Sequence, residues 1–341
     1  MATPGLALFS GAPQMNIMTS PPRRPRIEWI DLARGVALVA MAVYHFAWDL
    51  EFFGYAAPGM TAVGGWKLFA RCIASSFLIL VGVSLVLAHG RGVRWKGFWR
   101  RLAMIVAAAL AITVATFFAT PDFFIFFGIL HQIAFASVAG LLFLRLPVAV
   151  TLVVAALVIA LPNVFSSTIF DGPWGWWTGL AETRPRSSDF VPVFPWFGAV
   201  LAGIALAKLA AGAGLVERLA TLQPARWSRP LRFIGRNSLA FYLVHQPVLI
   251  ACIWLFSQLF PPAIDQETRF RSACELTCAQ DRDERFCVAY CGCMIAGLSA
   301  ENLLEEAFSR APSEAFRGRL RAMAELCTAQ TEGSAGSGGT P

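Results

Sequence analysis

Residues 30–50 read IDLARGVALVAMAVYHFAWDL, and the reading of this stretch decides the fold. As a helix rising about 1.5 Å per residue it is long enough to cross a bilayer, yet it carries Asp31, Arg34, His45 and Asp49. At roughly 100° per residue His45 falls roughly 20° from Arg34, and Asp31 and Asp49 both fall roughly 60° from it. The four ionisable groups therefore share one narrow stripe, with only Leu38 among them. A charge at the centre of hydrocarbon costs about 3 kcal/mol or more, so this stripe must face protein or a water-filled cavity.

The rest of the chain fits that reading. Hydrophobic residues make up 57% of it and charged residues 14%, with a mean hydropathy of +0.59; a soluble chain carries about 25% charged residues. The apolar runs are long and do not alternate, which predicts an all-α polytopic membrane protein rather than a barrel. The net charge of +7 lies mostly in short loops between apolar runs. That is the pattern of a chain oriented in a lipid bilayer, and it is no sign of nucleic-acid binding.

Seven candidate spans follow, at about 30–50, 68–88, 102–120, 123–144, 147–162, 191–210 and 238–260. Residues 1–26 are Pro-rich, lack a separate apolar segment, and read as a flexible cytosolic tail before an uncleaved anchor. Met15 or Met18 would serve equally as the start. Basic residues gather in alternate loops: Arg23, Arg24 and Arg26; Arg91, Arg94, Lys96, Arg100 and Arg101; Arg145; and Lys208, Arg218, Arg226, Arg229, Arg232 and Arg236. The intervening loops hold Glu51, Asp122, Asp171, Glu182 and Asp189 with few cations. The asymmetry predicts a cytosolic N-terminus in the inner (plasma) membrane and, after seven spans, a C-terminal tail outside, in the periplasm. Trp174, Trp176 and Trp177 in the 163–190 segment suit an interfacial aromatic belt, or a lid whose faces stack on sugar rings.

Other polar residues within spans are few. His131 and Gln132 are expected near the middle of the fourth span, and His245 and Gln246 about two turns into the seventh, past Asn237 and Ser238. Pro195 and Pro247 would each free a carbonyl and bend a helix. A lone intramembrane His is often a helix–helix hydrogen-bonding group; three beside an Arg and an Asp favour a site. Arg34 keeps its charge and binds phosphate or carboxylate in two-pronged fashion. His45, about 16 Å further along the helix, can act as a base or carry an acyl group. Asp49, one turn on, can orient the imidazole. Alone, Asp31 and Arg34 would read as an ordinary interfacial pair.

From Pro261 the composition changes, and acidic residues outnumber basic ones. Cys274, Cys278, Cys287, Cys291, Cys293 and Cys327 include two C-x3-C pairs that each lie on one helix face. Two such helices joined by AQDRDERF can form 274–291 and 278–287 bridges, leaving Cys293 and Cys327. An even count outside the cytosol favours disulfides, and a zinc site ranks second because no His is near. No metal is expected elsewhere. Residues 298–330 read as amphipathic helix broken near Pro312, and 333–341 (GSAGSGGTP) as flexible.

The run RIEWIDLARGVALVAMAVYHFAWDL resembles the first helix of the membrane-bound acyltransferase superfamily, in whose acyltransferase-3 branch a basic residue precedes a His by eleven positions, as Arg34 precedes His45. The closer resemblance is to bacterial relatives of the heparan-α-glucosaminide N-acetyltransferase catalytic domain, carried also by FFGILHQIAFASV (126–138), SDFVPVFPWFGAVLAGIAL and IGRNSLAFYLVHQPVLI. It covers about residues 26–260. The resemblance implies transfer of an acyl group from cytosolic acyl-CoA, usually acetyl-CoA, to a glycan or amino-sugar acceptor across the membrane. His45 would then be catalytic, with Asp49 and His131 as candidate partners, and Arg34, Arg100, Arg101 and Arg236 would serve the donor. His131 and Gln132 stand where the eukaryotic members carry a Gln-Arg pair, so the role of that position does not transfer. The expected organisation is a tail (1–26), a membrane acyltransferase-like domain (27–260), a Cys-rich helical module (261–332) and a flexible end (333–341). Two other functions use the same residues: a small-solute or proton-coupled transporter, and a membrane anchor that displays the Cys-rich module to a partner.

Overall fold

A computed structural model of the chain describes residues 27–90, 92–183, 185–262, 266–279, 281–309 and 312–336. The expected N-terminal tail lies outside them. The membrane part comprises α1 (Glu28–Phe52), α2 (Gly64–His89), α3 (Trp95–Ala119), α4 (Ile129–Phe143), α5 (Val148–Val164), α6 (Val193–Gly212), the short α7 (Leu215–Thr221) and α8 (Arg229–Arg236), and α9 (Ser238–Leu259). The tail forms α10 (Gln266–Cys278), α11 (Glu284–Ala300), α12 (Leu304–Ala307) and α13 (Glu314–Gly336). No strand occurs among the described residues. Five helices, α1, α2, α3, α6 and α9, are long and apolar enough to cross a membrane, and α4 and α5 are shorter apolar helices. The protein is thus an all-α polytopic membrane protein.

Glycine sets how closely these helices approach. The most extensive pairings join α6 to α2 and to α5. At the α2–α6 crossing a Cβ on Gly82 would lie 2.1 Å from the Val200 carbonyl oxygen, and one on Gly203 would lie 2.2 Å from that of Ile79. Only glycine fits there, and close backbone approach is the main source of helix association where lipid removes the hydrophobic drive. Around this crossing Leu78, Val200, Leu201 and Ile204 are fully buried and form the main core. Lys208 on α6 donates from Nζ to the Phe143 and Leu146 carbonyls, each at 2.6 Å, satisfying the free C-terminal end of α4. Apolar side chains such as Leu110, Phe118, Leu157 and Leu255 point outward, as lipid-facing residues do.

The fourth span departs from expectation. Its apolar run begins near residue 123, but the helix begins only at Ile129, so His131 stands in its first turn rather than mid-span. Residues 124–128 are irregular and borrow partners instead. Thr113 donates to the Ile125 carbonyl at 2.6 Å, and Ile125 N–H donates to Thr116 Oγ1 at 3.0 Å. Ser188 and Val191 N–H groups donate to the Phe123 and Phe127 carbonyls. Non-helical backbone persists at such a position only when protein groups satisfy it, as here.

In the tail, Cys274–Cys291 and Cys278–Cys287 bridge α10 to α11, and Cys293–Cys327 bridges α11 to α13. The pairing of the two C-x3-C turns is the expected one. All six cysteines of the module are thus paired in disulfides, the first-ranked of the two readings. α13 starts at Glu314, just past Pro312, and runs on to Gly336, past the expected start of the flexible end.

Candidate active site

At the N-terminal end of α1 a second glycine contact assembles a basic pocket. A Cβ on Gly35 would lie 1.9 Å from the Leu231 carbonyl oxygen, and one on Gly235 would lie 1.8 Å from that of Asp31. This approach packs α8 against α1 and lays its arginines over α1's acids. Arg232 pairs with Glu28, and Arg236 Nε lies 3.8 Å from the Asp31 carboxylate. Arg34 Nη1 lies 3.6 Å from the same, buried carboxylate. The cavity beside them holds about 360 Å³ and is lined by Glu28, Asp31, Gln223, Arg229, Arg232, Phe233 and Arg236. The Nε–H of Arg232 is buried there with no acceptor among the described residues. Arg34 also donates from Nη2 to Ser84 at 2.5 Å. Ser84 lines a narrow crevice with His89, Arg101 and Ser137. Arg100 is exposed and lines neither cavity.

Further along α1 the stripe meets α9. The ring of His45 lies 5.0 Å from that of His245, centroid to centroid, and Tyr44 stands edge-on to His45 at 5.8 Å. Asp49 is fully buried, and its Oδ1 accepts from Gln246 Nε2 at 2.7 Å. The expected bond from the His45 ring to Asp49 is not formed; the partner is an amide on α9. His245 Nδ1 lies 2.7 Å from the Tyr242 carbonyl and donates to it, so its Nε2 is left as an acceptor. Three buried atoms along this seam have no hydrogen-bond partner among the described residues: Asp49 Oδ2, His245 Nε2 and Gln246 Oε1. All three are acceptors.

His131 is placed differently. Gly128 N–H donates to its Nδ1 at 3.2 Å, so the ring proton sits on Nε2 and faces Thr113 Oγ1 at 3.2 Å. Both nitrogens are engaged in closing the first turn of α4, and neither bonds to the His45 seam. Next to it the Asp189 carboxylate accepts from Ile129 N–H at 2.9 Å. The start of a helix favours a negative charge, but burial outweighs it here and pushes the Asp189 carboxyl up to about 6. Tyr242 packs at once against the Leu38–Met41–Ile73 cluster and the Ala108–Ala109–Leu130 cluster. It thereby joins the His45 seam to the foot of α4. Tyr242, Gln246 and Asp189 went unassigned in the sequence, although each lies in a stretch that carries the family resemblance.

Because the folded-state pKa of Asp189 is raised, its protonated form favours the fold. The stability it contributes is present below about pH 4 and is lost as pH rises through about 6. Asp189→Asn keeps an acceptor for Ile129 without the charge. The melting temperature of the variant is expected to exceed that of the wild type by a margin that widens from pH 4 to pH 7. A margin independent of pH would refute this account.

The membrane helix bundle thus carries an arginine-lined pocket at one end of α1 and a seam of His45, His245, Asp49 and Gln246 further along it. The family model for the heparan-alpha-glucosaminide N-acetyltransferase catalytic domain matches residues 26–247. The chain belongs to that family of acetyltransferase-type membrane enzymes. No curated protein and no solved structure matches the chain.

Proposed function

We propose that the protein transfers an acyl group, acetyl in the first instance, from acyl-CoA bound at the α1–α8 pocket to an amine or hydroxyl of a sugar acceptor at the His45 seam. The observation that carries this reading is the set of three buried, unpartnered acceptors on Asp49, His245 and Gln246. Leaving such atoms bare costs about 1–3 kcal/mol each. A ligand rich in N–H or O–H groups removes that cost, and amino sugars are such ligands. His45 takes the proton from the attacking amine or hydroxyl as its lone pair adds to the thioester carbonyl. The new C–N or C–O bond forms, the C–S bond breaks, and the proton passes to the departing thiolate. A route through an acyl-His45 intermediate uses the same ring as nucleophile.

The donor's phosphates suit the other end. Arg229, Arg232 and Arg236 line one cavity, and guanidinium groups bind phosphate with paired, charge-assisted hydrogen bonds. The unused Nε–H of Arg232 is one such donor. Arg34 and Arg101 flank Ser84 at the same end, which suits a pantetheine arm running inward. Loop charge supports a cytosolic face for this pocket and an outer face for the seam, in the inner membrane.

The test is turnover by the purified full-length protein with acetyl-CoA and an amino-sugar acceptor. Replacing Arg236 by Gln is expected to raise the donor KM about tenfold, the worth of one charge-assisted hydrogen bond, with kcat little changed. Solute uptake without any dependence on CoA would support a transporter instead.

A further inference from the structure

The Cys-rich module touches the membrane part at the loop that follows α1. Leu276 stands between Cys274 and Cys278, whose bridges hold α10 to α11. Its side chain lies over Gly59, where a Cβ would be 1.7 Å from Leu276 Cδ1 and where φ is +76°. Arg269, on the same helix, donates from Nη2 to the Phe52 carbonyl at 3.2 Å, at the end of α1. Its guanidinium carbon also lies 3.3 Å from the position of a Cβ on Gly54, where φ is +83°. The module thus rests on both left-handed glycines of residues 53–62.

That loop is tied back to the seam. The Glu51 carboxylate accepts from the backbone N–H groups of Gly59 and Thr61, the latter at 3.0 Å, and from Thr61 Oγ1 at 2.8 Å. The buried Thr61 offers its carbonyl to the Tyr44 hydroxyl at 3.5 Å. Tyr44 is the residue whose ring meets His45 edge-on. A continuous series of contacts therefore runs from the stapled module through Gly59, Glu51, Thr61 and Tyr44 to the imidazole.

The geometry points to an intramolecular clamp: the module seats the 53–62 loop and so holds the His45 ring, which makes Leu276 and Arg269 positioning residues for the transfer step. This rests on the function proposed above. The module is tethered to α9, so it acts in every copy of the chain without a partner. Its disulfides give α10 the rigidity to hold a loop, since a bridged helix pair loses less order on docking than a free helix.

The test compares full-length wild type, Leu276→Asp and Leu276→Met in nanodiscs, with intact disulfides verified by mass. In Leu276→Asp, amide hydrogen exchange at Gly59 and Thr61 is expected to quicken about tenfold or more while the spans stay protected. Acyl-transfer kcat is expected to fall about fivefold or more at unchanged donor KM, and Leu276→Met is expected to restore both. Unaltered exchange at the loop in Leu276→Asp would overturn the clamp. Faster exchange with unaltered kcat would overturn its positioning role. A wild type that transfers no acyl group refutes the proposed function alone, because the exchange comparison still decides the clamp.

Discussion

His45→Ala is expected to lower acyl-CoA-dependent turnover by about two to four orders of magnitude while the protein reaches the membrane in normal amount. The loss is large because the proposed route places the proton of the attacking group on His45. Asp49 Oδ1 accepts from Gln246, and His245 donates from Nδ1 to the Tyr242 carbonyl. Their remaining acceptors, Asp49 Oδ2 and His245 Nε2, are assigned to holding the acceptor. Abundance is expected to hold because His45 makes ring contacts, with Tyr44 and His245, that an apolar residue tolerates losing. The check is single-turnover and steady-state transfer on purified protein, normalised to membrane abundance. Full turnover in this variant would remove His45 from the chemistry. A fall shared equally by donor binding and turnover would mean that the ring shapes the donor pocket instead.

Gly235→Val should be nearly as damaging, by a different route. A Cβ at that position would sit 1.8 Å from the Asp31 carbonyl oxygen and its neighbour Gly35 N only 2.9 Å away. Ordinary Cβ contacts require about 3 Å or more, so α8 must withdraw from α1 by about 1 Å, at a cost of about 1–3 kcal/mol. The withdrawal separates Arg232 from Glu28 and Arg236 from Asp31. It also leaves the Asp31 carboxylate buried with a weaker set of cations, which adds to the cost. We expect a melting temperature lower by several degrees and donor binding reduced about tenfold or more, read by thermal scanning and by calorimetry with CoA. Gly97→Ala is the matched control, since a Cβ there meets nothing within 4 Å. If Gly235→Val binds CoA as the wild type does, the pocket does not depend on the close crossing.

These two sites differ in how far they could be read from residues alone. The stripe of Asp31, Arg34, His45 and Asp49 was legible because an α-helix repeats its faces with a fixed period, and because charge within hydrocarbon has few affordable settings. Burial of Asp31 and Asp49 agrees with it. The bridges between the C-x3-C turns were legible for the same local reason. By contrast, the apolar run before Ile129 has a good helical composition and is not helix, because Thr113, Thr116, Ser188 and Val191 offer its backbone other partners. That competition brings His131 to the cap of α4 and away from mid-span.

Local sequence thus determined the class of the protein, its apolar helices, the polar face of the first one and the pairing of the stapled turns. Only tertiary structure decided that Asp49 answers to Gln246, 197 residues away, that His45 faces His245, that α8 closes a basic pocket on α1, and that Leu276 rests on Gly59. Helical periodicity and cysteine spacing are set by neighbours along the chain, so the residues state them. Which two faces meet depends on where glycines let backbones touch and where the chain returns, and that is fixed only when all the helices pack together.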